Sequence, residues 1–388
     1  MSRYVSPTPF DPQAADTRLT VTDERIASAS TARLIWWKLK RHRIAMWSAT
    51  VLILFYLMTA FAEFVTLYDP NARHVEHIYA PPQGVTLWNE GGLIAPSVRP
   101  LTYRLDMDTL QRLYTPDTSR ALPLRFFCSD EQPYRMWGLF DGSTRLICAP
   151  DGGTFFIMGT DRLGRDVFSR VVHGARVSLT VGLVGISISL ILGIVLGGLA
   201  GWYGGRTDWL IGRLIEVIRS FPELPLWMAL SAALPATLSP VAIFFGLSII
   251  LGLIDWTGLA RSVRGKIMSL REEDYAQAAI LMGASPKRVI FRHLMPGFAS
   301  HIIASATLSI PAMILGETAL SFLGLGLRPP AISWGILLTE AQNINAVALY
   351  PWLMLPVVPV ILTILAFNFL GDGLRDAADP HSSLPVSK

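Results

Sequence analysis

Few side chains in this 388-residue sequence are placed to do chemistry. Glu317 stands well inside a long apolar run, where a buried charge is costly enough to mark either a polar pathway or a structural partner. Arg213, Glu216 and Arg219 recur at i, i+3 and i+6, the spacing of a charge cluster on a helix surface. Asp255 falls near the end of another apolar run, at its interface. His173, His293 and His301 share no ligand spacing, so no metal site is expected. The sequence holds no Gly-x-Ser-x-Gly elbow and no phosphate-cradling Gly-x-x-x-x-Gly-Lys-Ser/Thr, so no catalytic residue is expected either. Cys128 and Cys148 are too few for a disulfide scaffold or a Cys-built zinc site. In an oxidising compartment they would close a loop of about twenty residues, contributing about 3 kcal/mol; two unrelated thiols are the alternative.

The most informative stretch is Arg271 to Gly297, REEDYAQAAILMGASPKRVIFRHLMPG. Glu272 to Met282 are good helix formers opening on acids, which suit a helix N-terminus. Gly283 fits a C-terminal cap. Ser285 reads as an N-cap with Pro286 at the first helical position. A second short helix is expected to about Met295, ended by Pro296-Gly297. The small face Ala276, Ala278 and Ala279 would let the first helix enter a groove on a partner protein.

The elements around this stretch are set by hydropathy. The sequence is 51% apolar and only 16% charged, against about a quarter charged in soluble domains. Membrane-length runs are expected at about 44–66, 177–200, 209–234, 240–259, 298–322 and 350–370, each long enough to cross about 30 Å of hydrocarbon. Proline inside several of them predicts kinks. Gly193, Gly197 and Gly201 form a small-residue stripe for close helix approach. Five Lys stand against twenty-eight Arg, and both crowd into the cluster Arg33–Arg43 and the loop 260–297. The Lys/Arg bias of short loops then places both termini inside the cell. Basic clusters that abut apolar runs read as topology determinants rather than as a nucleic-acid face.

The expected organisation is a basic cytoplasmic tail (1–43), a first span (44–66), a periplasmic segment (67–156), a five-helix core (157–374) carrying the cytoplasmic loop 260–297, and a C-terminal tail (375–388). The first run is too long, behind too long a charged stretch, to read as a cleaved signal peptide.

At this point the residues resemble a family. The 271–297 stretch is similar to the EAA loop of ABC importer permeases, through Asp274, Tyr275, Gln277-Ala278-Ala279, Gly283, Ser285, Pro286, His293 and Met295-Pro296. It departs from that pattern in Gln277 for Glu, His293 for Ile and Met295 for Leu. Met158–Asp161, Gly164–Val167 and Arg176–Leu179 resemble the dipeptide/oligopeptide/nickel branch, as do Phe221-Pro222, Leu320–Gly326, Ser333–Gly335 and Gly371–Asp376 with Asp379-Pro380.

The resemblance implies an all-α six-helix importer domain in the bacterial inner membrane, with an enlarged periplasmic loop. It also implies two cytoplasmic ATPase subunits that hold the ATP and Mg, a second homologous permease chain and a periplasmic substrate-binding protein. Peptide is the commonest cargo of the branch; opines, oligosaccharides and nickel chelates are the others. A secondary transporter, the rival reading, should show inverted internal repeats and unpaired midplane acids in corresponding halves, and neither is seen in the sequence.

Overall fold

The computed structural model describes residues 31–89, 92–108, 111–235 and 237–378. The tail 1–30, the Asp379-Pro380 block and the remainder of the C-terminal tail lie outside them. Among the described residues five helices are long and apolar enough to cross a membrane. After a short basic helix α1 (Thr31–Arg41), α2 (Arg43–Ala60) is the first of these, followed by one turn, α3 (Ala62–Val65). The others are α4 (Val167–Tyr203), α7 (Pro240–Leu270), the run from α9 (Pro286–Arg288) through α10 (Met295–Phe322), and, after the short α12 (Ile344–Leu349), the run ending in α13 (Val357–Ala378).

The stretch expected as one helix over 209–234 is two. An amphipathic α5 (Gly205–Arg219) and an apolar α6 (Glu223–Ala232) meet at Phe221-Pro222. Pro222 is extended at φ −60°, ψ 134° and N-caps α6. A proline there cannot donate the helix hydrogen bond and biases the residue before it away from helix.

The core of the bundle is the α4–α7 contact. Glycines on α4 make it close: a Cβ on Gly201 would lie 2.7 Å from the Arg264 carbonyl oxygen, and one on Gly193 2.9 Å from Leu259. Gly252 of α7 meets the Gly185 carbonyl in the same way. These pairs advance together along both helices, so α4 and α7 run parallel. The chain between them must therefore return the length of α7, and α5–α6 does so. Asp208 pairs with Arg264, Arg219 reaches Thr257, and Leu234 lies against Gly246. Around this pair α10, α13 and α2 close a second layer, filled by Leu179, Met313, Ile314, Trp334 and Phe367.

The segment 67–156 corrects the all-α expectation. It holds a three-stranded sheet ordered β1 (Val85–Asn89), β2 (Gly92–Val98), β5 (Leu122–Pro123), and two hairpins. One hairpin pairs β3 (Leu101–Leu105) with β4 (Arg112–Pro116); the other pairs β6 (Arg125–Met136) with β7 (Phe140–Cys148). Its small core is Leu67, Val98, Leu124 and Phe155. Cys128 and Cys148 form a disulfide across the base of β6–β7.

This β unit is fastened to the bundle. His74 N donates to the Gly164 carbonyl (2.9 Å) and Thr160 N to that of Ala80 (2.9 Å). Just before the unit begins, Glu63 of α3 is held to α4 by Arg176 Nη1 and Nη2, at 2.6 and 2.5 Å.

Candidate functional site

The loop after α7 is built by local rules. α8 (Asp274–Leu281) starts behind Glu273, which is extended at φ −72°, ψ 148°, with Asp274 in its first turn. It stops at Gly283, whose φ of +81° is strained for any residue with a Cβ. There Ala284 N donates to the Ala279 carbonyl (3.0 Å) and Gly283 N to that of Ile280 (2.9 Å), the paired closure of a Schellman cap. Ser285 takes the extended backbone of an N-cap and Pro286 follows at the first position, although the Ser285 side chain makes no cap bond.

Two expectations for this loop are corrected. The second helix does not end at Met295. It runs on through a π-turn (Val289–Leu294) into α10, with Met295 N donating to the Ile290 carbonyl and a kink at Phe298. Pro296 lacks the N–H that would reach Arg292, and the wider turn before it absorbs that mismatch. His293 is half-buried on the π-turn.

The alanine face of α8 also turns inward. Ala276 and Ala279 are buried against Val263, Ile267, Val289 and Leu294, while Ala278 stays exposed. What α8 presents outward is Tyr275, Gln277, Ala278 and an apolar tip, with Leu281 87% and Met282 82% exposed.

A chain of hydrogen bonds leads from α8 into the bundle. Gln277 Nε2 donates to the Arg271 carbonyl (2.8 Å), closing the α7–α8 turn. Arg271 Nη1 in turn donates to the carbonyls of Gly201 (3.2 Å) and Trp202 (3.0 Å), which the C-terminus of α4 leaves without helical partners. One residue therefore caps α4 and anchors α8. Glutamate at position 277 could accept hydrogen bonds but could not donate this one.

Glu317 is 0% exposed. Its Oε2 accepts from Ser178 Oγ and its Oε1 from Ser321 Oγ, both at 2.8 Å. Trp334 N donates to Ser178 Oγ (3.2 Å), and Trp334 Nε1 to the Val171 carbonyl (3.0 Å). Glu317 thus ties α4, α10 and α11 (Trp334–Thr339) together.

Asp255 is not interfacial: it lies halfway along α7 and accepts from Ser189 Oγ of α4 (3.0 Å). Arg213 and Glu216 are an exposed pair at 2.7 Å, and Arg219, also exposed, donates through Nε to Thr257 Oγ1 of α7. His173 and His301 sit apart, bonded to Ser169 and Ser262.

Sequence reasoning missed the cluster at the other end of α4. Asp161 accepts from Arg165 Nε (2.7 Å), Arg170 Nη1 (3.0 Å) and the Leu163 and Arg165 amides. Glu340 joins it 3.4 Å from Arg165, and burial pushes its carboxyl upward. Asp166 caps α4 by accepting from Ser169 N and Oγ at 2.8 and 2.6 Å, and burial pushes it up to about 6. The signal was present in the Asp161–Arg165 spacing, but Glu340 lies too far along the chain to be paired by eye.

A bundle of long apolar helices, a broken helix threaded back through it and one short helix held out on a capped loop define a multi-pass membrane protein. Residues 193–383 match the family described as binding-protein-dependent transport system inner membrane component, and residues 30–82 the N-terminal TM domain of oligopeptide transport permease C. The chain is 40% identical over 236 residues to the oligopeptide transport system permease protein OppC of Haemophilus influenzae, covering 61% of this chain and 73% of that one. It is 39% identical over 222 residues to the dipeptide transport system permease protein DppC of Bacillus subtilis, covering 57% and 68%. It is also 36% identical over 259 residues to the glutathione transport system permease protein GsiD of Pectobacterium atrosepticum, covering 67% and 83%. The chain belongs to the family of binding-protein-dependent inner-membrane transport components: it is the permease subunit of an ABC importer and not itself an enzyme.

Proposed function

We propose that this permease imports peptides, with α8 as the element through which two cytoplasmic ATPase subunits drive it. The observation that carries the reading is the division of α8 into a buried alanine face and an exposed apolar tip at Leu281-Met282. An apolar tip on a loop tied at both ends fits a groove on a soluble partner. The chain Gln277–Arg271–α4 gives a push on α8 a route into the parallel α4–α7 pair. Closure of the ATPases would then rock the bundle, with a second homologous permease chain, between outward- and inward-open states. Three relatives whose names specify oligopeptides, dipeptides and glutathione favour a peptide cargo, delivered by a periplasmic binding protein.

In this reading the chain crosses the membrane six times, the broken pair α5–α6 serving as the third crossing. Both termini are cytoplasmic and 67–156 is periplasmic, as the Lys/Arg of the short loops favours. Neither matching family profile includes residues 83–192, in keeping with a β unit inserted into the common plan. The proposal keeps the domain boundaries read from hydropathy, with the core helices lengthened. Glu317 serves it as a buried tie between helices rather than as a lining group.

The test is Leu281→Asp with Met282→Asp. Both side chains are exposed, so the protein should still reach the membrane and stay monodisperse. Co-purification of the ATPases and binding-protein-dependent uptake of a labelled peptide should both be lost. Full uptake in that variant would overturn α8 as the coupling element. Uptake of other solutes but no peptide by the unsubstituted complex would overturn the cargo alone.

A further inference from the structure

The tip of the β6–β7 hairpin carries large apolar side chains left exposed among the described residues. Trp137, Leu139 and Phe140 surround the turn at Gly138, with Leu139 73% and Phe140 68% exposed. Hairpin turns are ordinarily built from small and polar residues, so three large apolar side chains around one turn are unusual.

The hairpin's contacts fix where its tip points. Near its base Arg145 Nη1 donates to the Thr66 carbonyl (2.9 Å). At the tip Trp137 Nε1 donates to the Ala60 carbonyl (3.0 Å), and the Arg176 guanidinium lies 4.2 Å over the indole. Between base and tip the hairpin therefore runs from the level of Thr66 back to that of Ala60, toward the bundle. Ala60 ends α2, a membrane-capable helix whose Ile53, Leu54 and Leu57 are exposed. The apolar tip thus lies at the end of a membrane-capable helix that exposes apolar side chains of its own. Tryptophan is enriched where spanning helices meet the membrane surface, and Leu and Phe are side chains that interfacial segments bury there.

We propose that the turn Trp137-Gly138-Leu139-Phe140 is a membrane-interface anchor, inserting Leu139 and Phe140 into the bilayer surface beside α2. The partner is the lipid surface itself. The assignment goes beyond the transport reading and holds whatever the cargo and whichever side the β unit faces. It makes that unit a fixture of the bilayer surface, stapled by Cys128–Cys148, rather than a tethered flap.

The experiment is spin-label accessibility on full-length protein in phosphatidylethanolamine–phosphatidylglycerol nanodiscs. Leu139→Cys and Phe140→Cys are labelled in parallel, with Met107→Cys on the β3–β4 turn as the aqueous control and unsubstituted protein as the blank. At 139 and 140, collision with oxygen should rise and collision with a nickel chelate should fall several-fold relative to position 107. Nickel accessibility equal to that at 107 would place the tip in water and overturn the anchor. Shielding from both reagents would mean that protein covers the tip, and would overturn it equally.

Discussion

Glu317 shows what a buried charge does in this bundle. Its two oxygens accept from hydroxyls on different elements, Ser178 of α4 and Ser321 of its own helix. Leucine at 317 would leave both hydroxyls buried without that acceptor, each costing about 1–3 kcal/mol. Glutamine keeps one acceptor oxygen and the shape. We therefore expect Glu317→Leu to lower the melting temperature in detergent sharply, while Glu317→Gln loses little stability and still supports peptide uptake. The competing role, a charge lining the pathway, predicts the opposite split: normal melting of Glu317→Gln with uptake abolished. The sequence could single out Glu317 from its apolar context, but not choose between these roles, because Ser178 stands 139 positions away.

Between elements the decisive feature is the parallel α4–α7 contact. A side chain at Gly201 would need space held by the Arg264 carbonyl, 2.7 Å from where its Cβ would sit. Gly201→Val should part the two helices, at a cost of about 1–3 kcal/mol from overpacking. It should also strain the Arg271 cap on the neighbouring carbonyls. The check is thermal melting combined with peptide uptake; an unchanged melting temperature would mean that the helices separate without penalty.

That glycine stripe was legible because its i+4 spacing needs no long-range knowledge. So were α8 and its glycine cap, since capping residues act over one turn. Pro296 was misread for the same local reason: proline usually stops a helix, but a π-turn upstream carries this one through to Phe322. The β unit went unread because four of its strands hold five residues or fewer, and the two long ones, β6 and β7, are interrupted by charge, so that alternation is weak there. The inward turn of Ala276 and Ala279 was also hidden, since it depends on where α7 and the π-turn lie.

For the whole molecule, topology follows from the pairing of elements more firmly than from counting apolar runs. Five long helices alone would leave the termini on opposite sides of the membrane. Because α4 and α7 point the same way, the chain between Tyr203 and Pro240 must traverse the bundle, and α5–α6 tracks back along α7 from Arg264 to Gly246. Its first half is amphipathic, with Arg213 and Glu216 paired on an exposed face, so hydropathy alone undervalues it as a crossing. The ten residues of α6 span only about 15 Å, so the proposed third crossing also needs α5 against α7. A six-crossing chain places the N-terminal basic cluster and the end of α13 on one side. Reporter fusions at the two ends of the full-length protein should accordingly both read cytoplasmic, and a cysteine placed at Met107 should react with an impermeant thiol reagent added outside. A C-terminal reporter that read periplasmic would remove α5–α6 as a crossing, and with it the placement of α8 where a cytoplasmic ATPase could reach it.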